Sequence, residues 1–361
     1  MKLFTVGPVQ MNPAVLAAGA EQPPYFRTAE FSRFMLRLEH DLLSLLDAPE
    51  GARAVFLTSS GSGAMDSAMA SLFSPKDDRI LIIRAGTFGN RFVEICEAQG
   101  LPYAVLDLPE EEELSDSHLA VFAGQGFTGI TVNHCETSNG KLMDLQAVSR
   151  FAHREGLLTI VDAVSSFLCE PLSMKGLGLD LVLTASQKAL ALSPGIAPVA
   201  LAPSAIARIK ERSESRTLPY YLDLSSALKN MERGQTPFSP AISILQQMRA
   251  RLDGLKEGAD PEVLRVKALA SFFRRELTAR TSMTLPNWRM AAGVTIIESQ
   301  GTDMEDLFTY LTEQGMVLNP CGGSHAKNRI RVGHMGDLDE EDYIRLLEHI
   351  SGFEQITEEE T

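Results

Sequence analysis

Apolar positions along this chain follow two alternating patterns. Short runs that are apolar on both faces, at 54–58, 79–83, 103–106, 129–132, 157–161, 181–184 and 198–201, predict buried strands. Between them, residues 63–73, 89–98, 145–155 and 205–212 carry apolar positions at helical spacing. Phe31, Phe34, Leu38, Leu42 and Leu45 repeat in the same way, and Thr28 is placed to cap that helix, with Glu30 in its first turn. Doubly apolar strands separated by helices predict an α/β fold, a mostly parallel central sheet flanked by helices. After about Ser239 the texture changes to two long helical stretches at 241–255 and 261–281. A strand at 293–298, a helix at 304–314, a strand at 328–333 and a last helix at 340–350 follow. That succession predicts a smaller C-terminal α+β domain. The expected division is an arm at 1–15, a large domain at 16–245 and a small domain at 246–361. The segment before Thr28 carries Gly7, Pro8, Pro13, Pro23 and Pro24 and is expected to be extended, and the tail T-E-E-E-T to be frayed.

Composition narrows the function classes. The 361 residues are 44% hydrophobic and 22% charged, with a formal net charge of −14 from 33 basic and 47 acidic residues. That balance argues against a nucleic-acid partner. No apolar run is long enough for a membrane span, and the opening M-K-L-F-T-V-G-P-V meets Gly and Pro too early for a secretory leader. Cys96, Cys135, Cys169 and Cys321 are scattered, without a C-x-x-C pair, so a zinc site or disulfide framework is not expected and a reducing cytoplasmic setting is. The acidic run Glu110 to Glu113 reads as solvated surface.

Three local features carry chemistry. S-S-G-S-G-A (59–64) follows a predicted strand and opens a helix, which offers free backbone amides to an anion. Read alone it could equally be a tight βα turn. It lacks the G-K-[ST] of a nucleotide loop and the third glycine of a dinucleotide fingerprint. Asp162 closes the strand T-I-V-D, at the sheet edge where open α/β folds bind ligands. Lys188 stands in S-Q-K-A-L-A-L-S-P-G, with an apolar surround that lowers an amine's pKa and favours imine formation. Together these are an amine, a carboxylate for a pyridinium nitrogen and amides for a phosphate, the parts of a pyridoxal-phosphate site.

The chain resembles the class V aminotransferases of fold type I, in order and over nearly its whole length. Its nearest resemblance is to alanine–glyoxylate and serine–pyruvate aminotransferases, with 2-aminoethylphosphonate–pyruvate aminotransferases as near relatives. T-V-G-P-V (5–9) and F-R-T-A-E-F (26–31) resemble the family's opening segments. The turn G-S-G-A-M-D-S-A (61–68) implies Ser62, Gly63 and Ala64 as phosphate contacts, and G-T-F-G-N-R (86–91) implies Phe88 on the cofactor ring face. N-H-C-E-T-S-N-G (133–140) implies Thr137 toward the phenolic oxygen, Glu136 ordering the loop and His134 in a structural role. V-D-A-V-S-S supplies Asp162, and S-Q-K supplies Gln187 beside the phosphate and Lys188 as the imine lysine. Q-T-P-F-S-P-A-I (235–242) resembles a segment that reaches the partner subunit's cofactor, with Thr236 and Ser239 as the contacts, and so implies a homodimer. In R-I-R-V-G-H-M-G (329–336), strand alternation leaves Arg329 and Arg331 on one face. The family match selects Arg331 for a substrate carboxylate.

The resemblance implies ping-pong amino transfer between a small donor of alanine or serine type and a small 2-oxo acid, glyoxylate or pyruvate. Arg27 is the candidate for a second anionic group, which would favour 2-aminoethylphosphonate or an acidic substrate. Cys321, ten residues before Arg331, raises a cysteine desulfurase, although Gln187 stands where those enzymes carry histidine. A nucleotide-binding α/β protein, or a protein of the same pyridoxal-phosphate fold that no longer catalyses, is the non-enzymatic reading.

Overall fold

The computed structural model describes residues 1–213, 219–299 and 301–359. The seven apolar runs become β1 (Arg53–Leu57), β2 (Ile80–Arg84), β3 (Tyr103–Asp107), β4 (Gly129–Asn133), β5 (Leu158–Asp162), β6 (Leu181–Leu183) and β7 (Ala197–Leu201), close to the boundaries expected. They form one sheet in the order β1-β7-β6-β5-β4-β2-β3. From β3 to β6 every pairing is parallel, whereas β7 runs antiparallel to both of its neighbours. Two reversals restore direction, so β1 points the same way as β6. The carboxyl ends of six strands therefore meet along one edge, and the loops that leave them can share a site. All of β4 is buried, as expected of a strand covered on both faces.

Local signals set the helix ends. Asp144 caps Leu145–Glu155 by accepting from the amides of Gln146 and Ala147, and Gly156 ends the helix at φ 68°, where an L side chain would be strained. Thr28 caps Ala29–Leu45 as expected, through the amide of Phe31. The extended arm needs correction, because Pro13–Ala20 is a helix. Pro13 is a starter here: its missing N–H and fixed φ suit the first helical turn, and the Asn12 side chain caps the amide of Ala14.

A second sheet, β8 (Val294–Glu298), β9 (Asn319–Pro320) and β10 (Arg329–Gly333), has the antiparallel order β8-β10-β9. Its own hydrophobic cluster includes Phe273, Leu277, Ile330, Val332, Tyr343 and Leu346. The last helix, Glu340–Glu359, extends well past its expected end, and the final two residues of the tail lie outside the described residues. The first residues of the chain join the two clusters: Phe4 is buried in the second, Val6 and Val9 in the first. Burying Phe4 stabilises this connection by about 2 kcal/mol relative to exposure. Lys2–Leu3 pairs with Met316–Val317, and the Gly333 amide donates to Phe4 O at 2.7 Å. No described helix is long and apolar enough to cross a membrane.

Candidate active site

The loop after β6 carries Lys188. Its turn is fixed by Ser186, whose amide donates to Ile196 O at 2.9 Å and whose hydroxyl donates to Ser193 O at 2.7 Å. Ala191 is held at φ 54°, a left-handed conformation that an L residue adopts only when its surroundings enforce it. The Lys188 side chain is 8% exposed and its Nζ donates to Val6 O at 2.6 Å. Burial pulls its pKa down to about 8; Arg331 also lowers it, while Cys135 and Asp162 act against the shift. Gly7 lies against this side chain, and a Cβ there would come within 2.6 Å of Lys188 Cδ.

Asp162 ends β5 beside Asn133, the last residue of β4. One carboxylate oxygen accepts from Asn133 Nδ2 at 2.5 Å and the other from the Val164 amide at 2.8 Å. Burial pushes its pKa up to about 6 and Glu136 adds to the shift, against the Asn133 and Val164 bonds and the charge of Lys188. Asn133 Oδ1 and Thr131 Oγ1 are buried with no hydrogen-bond partner.

The glycine-rich turn closes on the same place. Gly61 is so near the segment after Asp162 that a Cβ would sit 2.9 Å from Val164 Cγ2. Helix Gly61–Leu72 has Ser60 at its N-cap position without a side-chain capping bond. The Ala64 amide closes the first helical turn on Ser60 O at 3.2 Å, so its N–H is engaged within the helix. Ser62 and Gly63 precede that bond and keep their place at the open helix end. Phe88 is half-buried. Its amide and that of Gly89 donate to the Glu136 carboxylate at 2.9 to 3.2 Å, so Glu136 caps helix Thr87–Gln99 and orders the loop as expected. His134 is buried, and burial drives its pKa down to about 3, which keeps it neutral and structural.

Arg329 and Arg331 share a face of β10, but their surroundings differ. Arg329 pairs with Glu110 and Glu298, each at 2.7 Å, and lies over the Trp288 ring. Arg331 donates to Thr137 O at 3.3 Å and Pro320 O at 2.7 Å, with no ion pair among the described residues and its Nε unpartnered. Its positive charge thus lacks a local counter-charge. The acidic run also needs correction. Glu111 to Glu113 are exposed, but Glu110 turns inward to Arg329 because buried Lys141 gathers the carbonyls of Pro109, Glu110 and Glu112 beneath the loop.

Not every expected residue joins this cluster. Arg27 donates to Gln235 Oε1 at 3.1 Å, Thr236 O at 2.8 Å and Pro237 O at 3.2 Å, so it braces the segment carrying Thr236 and Ser239. Thr236 is buried and Ser239 is exposed. Thr137 pairs its hydroxyl with Ser165 Oγ at 2.6 Å. Gln187 is half-buried next to Lys188, and its carbonyl accepts from the Val9 amide at 3.3 Å. The sequence reading missed Asn133, Val6 and Gly7. Their signals were a polar residue closing an apolar strand and a Gly-Pro pair in the arm, and neither identifies a partner so distant in sequence.

A buried amine, a buried acid and an uncapped helix end at one edge of a mostly parallel sheet are the parts a pyridoxal-phosphate site needs. The residues fit that cofactor: the helix end suits a phosphate, and Asp162 is a buried carboxylate without an arginine partner. Comparison with known proteins agrees. The Aminotransferase class-V family model matches residues 24–335, and the chain belongs to that family. It is 30% identical to serine–glyoxylate aminotransferase of Hyphomicrobium methylovorum, over 94% of this chain and 85% of that one. It is 29% identical to the small subunit of a soluble hydrogenase from Synechococcus sp. (strain PCC 6716), over 99% of this chain and 93% of that one. A subgroup IV aspartate aminotransferase from Thermus thermophilus superposes with a TM-score of 0.89 at 25% identity, covering 98% of both chains. The protein is a pyridoxal-phosphate-dependent class V aminotransferase.

Proposed function

We propose that this enzyme moves an amino group between a small amino acid of alanine or serine type and a small 2-oxo acid such as glyoxylate or pyruvate, in a ping-pong cycle. The observation that carries this reading is the unmatched charge of Arg331 beside its fully paired neighbour Arg329. A guanidinium fork suits one carboxylate, and Arg27, the candidate for a second anion, is already engaged.

Bound pyridoxal phosphate supplies an electron-withdrawing ring and a carbon that carries the amino group between the two substrates. Ser62, Gly63 and Gln187 would hold its phosphate, Phe88 its ring face, Thr137 its phenolic oxygen and Asp162 its protonated ring nitrogen. Thr236 and Ser239 would reach the neighbouring protomer's cofactor in a homodimer. Arg331 holds the substrate carboxylate and orients the Cα–H bond. Lys188 Nζ, with its pKa held near neutrality at about 8, would take the proton from Cα as base and then, as acid, give it to the cofactor carbon that receives the amino group.

The test is to follow the absorbance of the bound cofactor while adding alanine, serine, aspartate, cysteine and 2-aminoethylphosphonate singly. Conversion by alanine or serine, reversed by glyoxylate or pyruvate, is the expected result. Conversion by 2-aminoethylphosphonate alone would transfer the assignment to a phosphonate aminotransferase. Sulfide release from cysteine would make it a desulfurase, a result that Cys321 opposes because burial pushes its thiol up and disfavours the thiolate.

A further inference from the structure

Arg91 closes the motif that holds Phe88, and none of the roles above uses it. It lies in helix Thr87–Gln99, and its Nη1 donates to Ser62 Oγ at 2.9 Å. Its guanidinium carbon stands 4.9 Å from the centre of the Phe88 ring. One cation thus joins a residue from the open end of helix Gly61–Leu72 to the aromatic residue of the next helix.

Two physical points give this contact a direction. A guanidinium only donates, so the bond uses a lone pair of the Ser62 hydroxyl and leaves the hydroxyl proton to be given elsewhere. A cation beside the positive end of a helix is unfavourable until an anion accompanies it. Both features call for an anion at the uncapped turn.

We infer that Arg91 is a positioning residue for the phosphate end of the cofactor. It turns the Ser62 hydroxyl into a committed donor and adds positive charge at the helix end, while its contact with Phe88 steadies the ring face. This inference rests on the pyridoxal-phosphate reading of the site.

The test uses cofactor-depleted, full-length protein titrated with pyridoxal phosphate, with unphosphorylated pyridoxal and with inorganic phosphate. Binding is read by absorbance, or for phosphate by the rise in melting temperature. Arg91→Met is expected to weaken pyridoxal phosphate and inorganic phosphate about tenfold, the size of one charge-assisted hydrogen bond, and pyridoxal less than about twofold. Arg91→Lys should recover part of the phosphate binding. In a Ser62→Ala background, Arg91→Met should weaken phosphate binding less than in the unaltered protein, because the part that acts through Ser62 is already lost. Equal losses for pyridoxal and its phosphate, or no loss at all, would overturn the inference. If the unaltered protein bound neither pyridoxal phosphate nor pyridoxal, the cofactor assignment would fall first, and the role of Arg91 with it.

Discussion

Two buried carboxylates in this protein, Glu262 and Asp162, sit in opposite electrostatic surroundings. Glu262, on helix Asp260–Arg280, accepts from Arg251 Nη2 at 2.6 Å and from Arg265 at 2.8 and 2.9 Å. Burial raises its pKa, but the two guanidinium groups outweigh burial and the net shift is downward. Asp162 is equally enclosed, yet its bonds come from an amide side chain and a backbone N–H, and burial prevails at about 6. The first arrangement is a fixed ionic joint. Its arginines also bond to the carbonyls of Ala189, Gly336 and Leu338 and tie the Lys188 loop to the segment after β10. The second leaves a charge only partly compensated, which is what a carboxylate that must meet a charged ligand group requires.

The sharpest way to break this comparison is to remove the amine. Lys188→Ala should lower transamination by about 10³-fold or more, since it deletes the proton-transferring group, while the protein still folds. A rate within tenfold of the unaltered enzyme would remove Lys188 from the mechanism.

Next in size are the carboxylates themselves. Glu262→Gln leaves two guanidinium groups short of a counter-charge and should cost about 3 kcal/mol of stability in urea unfolding. Asp162→Asn should leave the cofactor-free protein at least as stable at pH 8, because it deletes a penalised charge, while abolishing most activity. Equal destabilisation by the two substitutions would show that no electrostatic difference exists between the sites.

Lys188 offers a pH test whose sign can be worked out. Its folded pKa, about 8, lies below the ordinary lysine value of 10.5, so between these limits the unfolded chain binds the extra proton. The stability of the cofactor-free protein relative to Lys188→Met should therefore rise as pH passes from 8 to 10.5, by about 3 kcal/mol at most. A flat or falling difference would contradict the burial penalty assigned to this amine.

The smallest expected effect separates the two arginines of β10. Arg331→Lys should lower kcat/KM for carboxylate substrates about 30-fold through loss of the planar fork, with little change in melting temperature. Arg329→Lys should do the reverse, loosening the pairs with Glu110 and Glu298. If Arg329→Lys gave the larger kinetic loss, the carboxylate assignment would move to Arg329.

Much of this was legible along the chain, since it depends on local chemistry. Apolar runs of strand length can be buried only in a covered sheet, and the order of glycine-rich turn, strand-end acid and loop lysine survives any folding of the intervening residues. The arm shows where local reading fails: Gly7, Pro8, Pro13, Pro23 and Pro24 suggested extended chain, but Pro13 in the first helical turn, capped by Asn12, begins Pro13–Ala20.

The sequence by itself determined the fold class and the cofactor chemistry, and it put Lys188 and Asp162 forward as amine and carboxylate, because these readings rest on residue type, spacing and strand position. Tertiary structure alone decided how each charge is matched. Arg329 and Arg331 are indistinguishable by alternation, and it is Glu298 from the neighbouring strand, with Glu110 drawn inward over buried Lys141, that neutralises Arg329 alone. Arg27 and Arg91 are both arginines beside an aromatic residue, yet one braces the Thr236 segment while the other reaches Ser62. Electrostatic energy depends on distance through space and on burial, and neither quantity is written in the order of the residues.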